Sequence, residues 1–148
     1  MEDNQIINKT LNINAHTSRV WKTLTDPELL KLWMLDSEIN ISSDWKAGSP
    51  IMMYGDLHGI RFETKGMVLQ AEPEKILEYT HWSSLSQHAD IPENYSVITF
   101  MLTPIDGKTI LTFTQSNFET EVSYKHFNFY WNVALELMKK LNEDPLSG

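Results

Sequence analysis

The feature that most limits the fold is a run of strand-like text from residue 38 to 116. Six segments in or bordering it alternate or carry β-prone residues: SEINIS (37–42), SPIMMYGD (49–56), GIRFETKGMVLQAE (59–72), KILEYTHW (75–82), SVITFMLTP (96–104) and KTILTFTQS (108–116). The breaks KAGS, DLHG, EPEK and IDG are short and rich in turn formers, which predicts antiparallel neighbours. Asp106-Gly107 is a hairpin signal in its own right. One connection, SSLSQHADIPEN, is long and polar and carries Pro92; loops of that length often form lids or rims of sites.

Outside this run the period changes. QIINKTLNIN (5–14) alternates, with Ile7, Leu11 and Ile13 on one face and Lys9 interrupting it. In TSRVWKTLTDPELLKLW (17–33), Val20, Trp21, Leu24, Leu29, Leu30 and Trp33 recur at helical spacing. Asp26-Pro27-Glu28 divides that stretch into two helices. Aspartate caps free N–H groups, proline fits a first turn, and glutamate suits the positive end of the dipole. NFETEVSYKHFNFYWNVALELMKKLNE (117–143) predicts one long helix, over roughly 120–142, with Phe127, Trp131, Ala134, Met138 and Leu141 as its apolar stripe. Pro145 and Gly148 follow as a tail. The expected class is α+β: seven antiparallel strands, curved by their twist around the C-terminal helix, with two short helices after the first strand.

Length and charge then exclude several roles. The chain has 148 residues, which suits a single domain, 1–148, with a substantial core. Its net charge is −8, from 20 acidic and 12 basic residues with no basic cluster. Such a surface repels phosphate backbones and anionic headgroups, so nucleic acid is not an expected partner. Cysteine is absent, which removes disulfides, thiol nucleophiles and cysteine-ligated metals. The opening MEDNQIINKT lacks an apolar stretch of signal-peptide length, and no run of about 18 apolar residues occurs, so membrane insertion is not expected. A cytoplasmic location is expected.

Order and motifs together resemble the START-like, or SRPBCC, superfamily. The resembling pieces are INAHTSRVWKTLTDPELLKLWM, DWKAGSPI, KGMVLQAEPEKILEYTHW and SYKHFNFYWNVALELMKKL, and they span about residues 5 to 143. Within the superfamily the chain is similar to the branch related to the C-terminal domain of the activator of the ninety-kilodalton heat-shock chaperone's ATPase (Aha-type). That branch commonly carries Gly-Trp in the last helix, whereas here Tyr130 precedes Trp131. The resemblance implies a helix-grip fold in which the sheet grips the C-terminal helix. It also implies, as in many members, an apolar cavity between them for lipids, sterols, polyketides or flavonoid-like aromatics. Chaperone stimulation belongs to longer relatives with a separate N-terminal domain.

Alternation assigns faces to the candidate cavity residues. Ile98, Phe100 and Leu102 share one face, as do Leu111, Phe113 and Gln115, and as do Leu77, Tyr79 and His81, with Trp82 opposite. If that face is the inner one, Tyr79 and His81 set polar tips at the end of an apolar interior, the usual make-up of a ligand pocket. They can also be a core tyrosine and a histidine at a strand's solvent end, and a lone histidine such as His81 is more often the latter. Trp33, Met52, Tyr54, Phe62, Phe127 and Trp131 complete the candidate lining, and each can also be plain core. Met34 and Met53 join the same Met- and Trp-rich set. Arg61 alternates with Ile60 and Phe62 and is expected outside.

Catalytic chemistry finds little to work with. No G-x-S-x-G, P-loop or G-x-G-x-x-G is present, and Glu63 and Glu78 fit outward strand positions. His16, His58, His81, His88 and His126 are scattered, with no helical i, i+4 pair; His81, His88 and Asp90 meet only through the long loop. Neither a metal nor another cofactor is expected, and no catalytic residue is assigned. The residues favour a non-enzymatic binding protein for a small hydrophobic molecule. Two alternatives remain: a chaperone-accessory module that recognises a protein, and a cyclase- or dehydratase-like enzyme using Tyr79 and His81.

Overall fold

Asp26 settles the first helical stretch. Its backbone N–H donates to Lys22 O (2.8 Å), which closes α1 (Thr17–Thr25), and its carboxylate accepts from Glu28 N (2.9 Å), which opens α2 (Pro27–Trp33). One residue ends a helix and caps the next, as the Asp-Pro-Glu signal predicts. At the start of α1, His16 Nδ1 accepts from Ser18 N at 3.2 Å. The computed structural model describes residues 6–34, 39–57, 59–84, 88–118 and 120–143. The expected strand starts at residues 5 and 37, His58, the middle of the 83–94 loop and the tail at 145–148 lie outside them.

The alternating text resolves into β1 (Ile7–Ile13), β2 (Ile39–Ser42), β3 (Pro50–Leu57), β4 (Ile60–Glu72), β5 (Ile76–Ser83), β6 (Ser96–Ile105) and β7 (Lys108–Ser116). They form one antiparallel sheet in the order β1-β7-β6-β5-β4-β3-β2. From β2 to β7 this is a meander, and β1 adds to the far edge, Ile7 opposite Gln115 and Ile13 opposite Thr109. The chain must therefore cross from one sheet edge to the other after β1. The α1 and α2 helices make that crossing. Asp106 (φ +50°) and Gly107 (φ +79°) form the two-residue turn between β6 and β7, where both central positions need left-handed backbone.

The long helix, α3, runs Glu121–Glu143. It starts four residues later than the helical text begins. Asn117 is left-handed (φ +66°) and donates its amide to Tyr95 O (2.7 Å), and Thr120 Oγ1 accepts from Ser123 N (3.0 Å), so the cap falls at Thr120. Trp131, Ala134, Leu135 and Met138 on α3 are buried with Phe100, Leu111 and Phe113 of the sheet. Phe113 and Trp131 stand 4.4 Å apart by ring centroid, and Phe100 lies 5.2 Å from Phe113 and 6.0 Å from Trp131. The α+β helix-grip arrangement follows from that packing. Lys9, the charge interrupting β1, reaches α3 instead of the core, donating to Asn132 Oδ1 at 2.6 Å.

Candidate functional site

The core does not fill the space between sheet and helices. Towards the β2–β5 side a cavity of about 570 Å³ remains, bounded by β3–β6, α2 and the first half of α3. Its strand walls mostly follow parity, with Lys65 and Thr80 as the exceptions. Cross-strand partners in an antiparallel sheet point the same way. Met53 sits opposite Thr64, and Tyr79 opposite Ile98, and all four line the cavity.

Of the candidate lining residues named from the sequence, Trp33, Phe62, Tyr79, His81, Phe100, Phe127 and Trp131 border this space. Three others do not. Met52 and Tyr54 have the opposite parity on β3, with Tyr54 paired to the outward Glu63 and 47% exposed. The inward residues of that strand are Ile51 and Met53. Phe113 faces inward but is sealed beneath Phe100 and Trp131, with no exposed surface, so it is core behind the wall. Arg61 is exposed, as expected. Unforeseen wall residues are Trp45, in the loop after β2, and Tyr130 and His126 on α3. Trp45 sits in irregular chain with φ +53°, where no periodicity announces a face. The Tyr130 hydroxyl donates to Met34 O, tying α3 to the end of α2.

Most polar atoms around the cavity are engaged by protein. Trp33 Nε1 donates to Thr23 O (3.1 Å) and Trp131 Nε1 to Gln115 Oε1 (2.7 Å). Gln115, wholly buried, passes the chain on through its Nε2 to Ser96 Oγ (3.0 Å), which reaches His81 O at 3.5 Å. Tyr79 and His81 differ. Tyr79 stacks on Phe100 (6.4 Å) and His81 meets Phe127 edge-on (5.6 Å), yet neither the hydroxyl nor the ring nitrogens find a hydrogen-bond partner among the described residues. The surface His81 retains faces the cavity, where a charge is poorly solvated. Burial therefore pushes its pKa down to about 4 and raises the Tyr79 phenol above its ordinary value. Both groups are neutral at pH 7.

Trp82, on the other face of β5, belongs to a separate outer cluster. It stacks on Tyr95 (6.5 Å), Lys65 Nζ lies 5.5 Å from its ring centroid, and its Nε1 donates to His88 O (3.2 Å). Lys65 also pairs with Asp90, which accepts from Tyr95 OH. Those hydrogen bonds hold the Asp90 carboxyl below its usual range, and the Asp90 bond holds Lys65 above its own. This cluster fastens the 88–95 segment to the outside of the sheet. Among the described residues no three His, Asp or Glu side chains gather closely enough to hold a metal ion, and no helix is long and apolar enough to cross a membrane.

Similar proteins share this architecture along nearly the whole chain. A protein of Cytophaga hutchinsonii, known by its solution structure, is 39% identical over 100% of both chains, with a TM-score of 0.83. The Aha1 dimer of Colwellia psychrerythraea is 25% identical over 94% of this chain and 96% of that one (TM-score 0.73). A Chromobacterium violaceum protein at 18% identity, covering 95% and 99%, shares the fold with a TM-score of 0.80. Comparison with curated proteins gives no match. The family described as Activator of Hsp90 ATPase homolog 1-like protein matches residues 14–143. The chain belongs to that family, within the START-like superfamily.

Proposed function

We propose that this protein is a non-enzymatic binding protein that holds a small hydrophobic molecule between its sheet and its C-terminal helix. The observation that carries this reading is the cavity of about 570 Å³, a volume typical of small-molecule sites, walled mainly by aromatic and aliphatic side chains. Trp33 and Trp131 both stand in the wall, so a molecule displacing water there changes their emission. The test titrates fatty acids, sterols and flavonoid-like aromatics while following tryptophan fluorescence at low and high salt. Saturable binding that varies little with salt is expected, because the partner is apolar. Phe127→Arg brings an unpaired charge into the wall and should weaken binding about tenfold or more. No saturable response from any compound, or binding indifferent to that arginine, would overturn the reading.

A second reading, a protein-interaction module of the chaperone-accessory type, has one observation in its favour. Phe129 and Val133, one turn apart on the outer side of α3, are 72% and 50% exposed. The Colwellia relative is named as a dimer. Sedimentation over a concentration series, with Phe129→Glu as control, tests self-association, and the chaperone's ATPase rate with added protein tests the accessory role. A monomer without effect on that rate would remove this reading.

A further inference from the structure

Tyr79 and His81 are two residues apart on one face of β5, so their Cα atoms lie about 6.5–7 Å apart along the strand and their tips reach the same part of the cavity. The other wall groups described above, Trp33, Trp131 and Tyr130, turn their polar atoms to protein acceptors. Among the described residues, the Tyr79 hydroxyl and the His81 ring do not. While the cavity is open, water can satisfy them. A purely apolar occupant would displace that water and leave two polar groups unpaired, each at the cost of a lost hydrogen bond.

Charge narrows the choice further. A buried carboxylate needs a cation. Lys65 reaches the cavity wall, but its ammonium is engaged by Asp90 and by Glu63 (3.8 Å). His126 is exposed to water. We propose that the molecule held here is uncharged and presents one hydrogen-bonding oxygen, a hydroxyl, phenol or ketone, to Tyr79 and His81. This inference rests on the ligand-binding reading above and adds the head group to it. Neutral His81 offers one N–H donor and one acceptor nitrogen, and the phenol offers a donor, so a hydroxyl can both give and receive a hydrogen bond.

The test uses one skeleton with three heads. Stilbene, hydroxystilbene and stilbene carboxylate are titrated into the full chain by calorimetry near neutral pH, and again into the Tyr79→Phe/His81→Leu variant. Hydroxystilbene is expected to bind about tenfold tighter than stilbene, the worth of one buried hydrogen bond, and the carboxylate no tighter than stilbene. In the double variant the hydroxyl's advantage should vanish. If hydroxystilbene binds no better than stilbene, if the carboxylate binds best, or if the advantage survives the double variant, the head-group inference is overturned while the cavity reading stands. If none of the three binds, this inference is overturned as well, and the cavity reading stands or falls on the wider panel of fatty acids, sterols and flavonoid-like aromatics.

Discussion

Gln115 sits where a leucine would fit the alternation, wholly buried between Leu111, Phe113 and α3. Sequence placed it on the inner face but gave no hint of its task, because alternation reports only which way a side chain points. In the fold it accepts from Trp131 Nε1 and donates to Ser96 Oγ, fixing the indole that closes the cavity floor. Gln115→Leu leaves the Trp131 indole N–H buried and unpaired and Ser96 Oγ with only its long bond to His81 O, and should lower the unfolding free energy by about 1–3 kcal/mol. Urea denaturation with an unchanged m-value checks it; a loss well under that range would mean water reaches the indole. Trp131→Ala removes the large side chain itself and should cost about 3–5 kcal/mol.

Elements were legible where their text alternates and opaque where it does not. On β5, β6 and β7 alternation assigned the right faces, because polar residues such as Glu78, Thr80, Thr99, Thr103, Thr112 and Thr114 mark the outer positions between buried apolar ones. In β3 the run Ile51-Met52-Met53-Tyr54 is apolar throughout, so alternation names no inner face there; the cavity takes Ile51 and Met53 and not Met52 or Tyr54. Asp56 carried the missing signal: it shares the exposed face with Tyr54, and pairing with inward Phe62 puts Gly55, and so Met53, on the inner side. The β4–β5 approach was equally invisible. A Cβ added to Gly66 would stand 1.7 Å from Thr80 O, so the two backbones meet where only glycine fits, just before the register shift between Val68 and Gln70. Gly66→Ala must push β5 and its cavity-facing Tyr79 aside. Its thermal midpoint should fall by several degrees, a loss of about 1–3 kcal/mol, and ligand affinity should fall with it. A variant as stable as the parent would show that β4 can bend without moving β5.

At the scale of the whole molecule the cavity couples acid to unfolding. His81 is held neutral by burial, its pKa about 4 against 6.5 in the unfolded chain. The sign follows from which state binds the proton. Above pH 6.5 both states are neutral and His81 contributes no pH dependence. As pH falls from 6.5 towards 4 the unfolded chain takes up a proton that the folded chain resists, so stability declines, by about 3 kcal/mol at pH 4. Asp90 and Glu143 act in a different window. Their carboxyls are held below the usual range, Asp90 by Lys65 first and Glu143 by the Asn14 N–H first, and their stabilisation is lost only as pH falls below the ordinary carboxylate values. Chemical denaturation at intervals from pH 7 to 4 separates the two. The parent protein should weaken steadily across the upper part of that range, and His81→Leu should stay nearly flat until the carboxylates begin to titrate. A bound neutral molecule should keep the slope, since it occupies the cavity without supplying a counter-charge. If instead the parent is flat between pH 6.5 and 5, water solvates the imidazolium inside the cavity, and the low-dielectric site on which head-group selection depends does not exist.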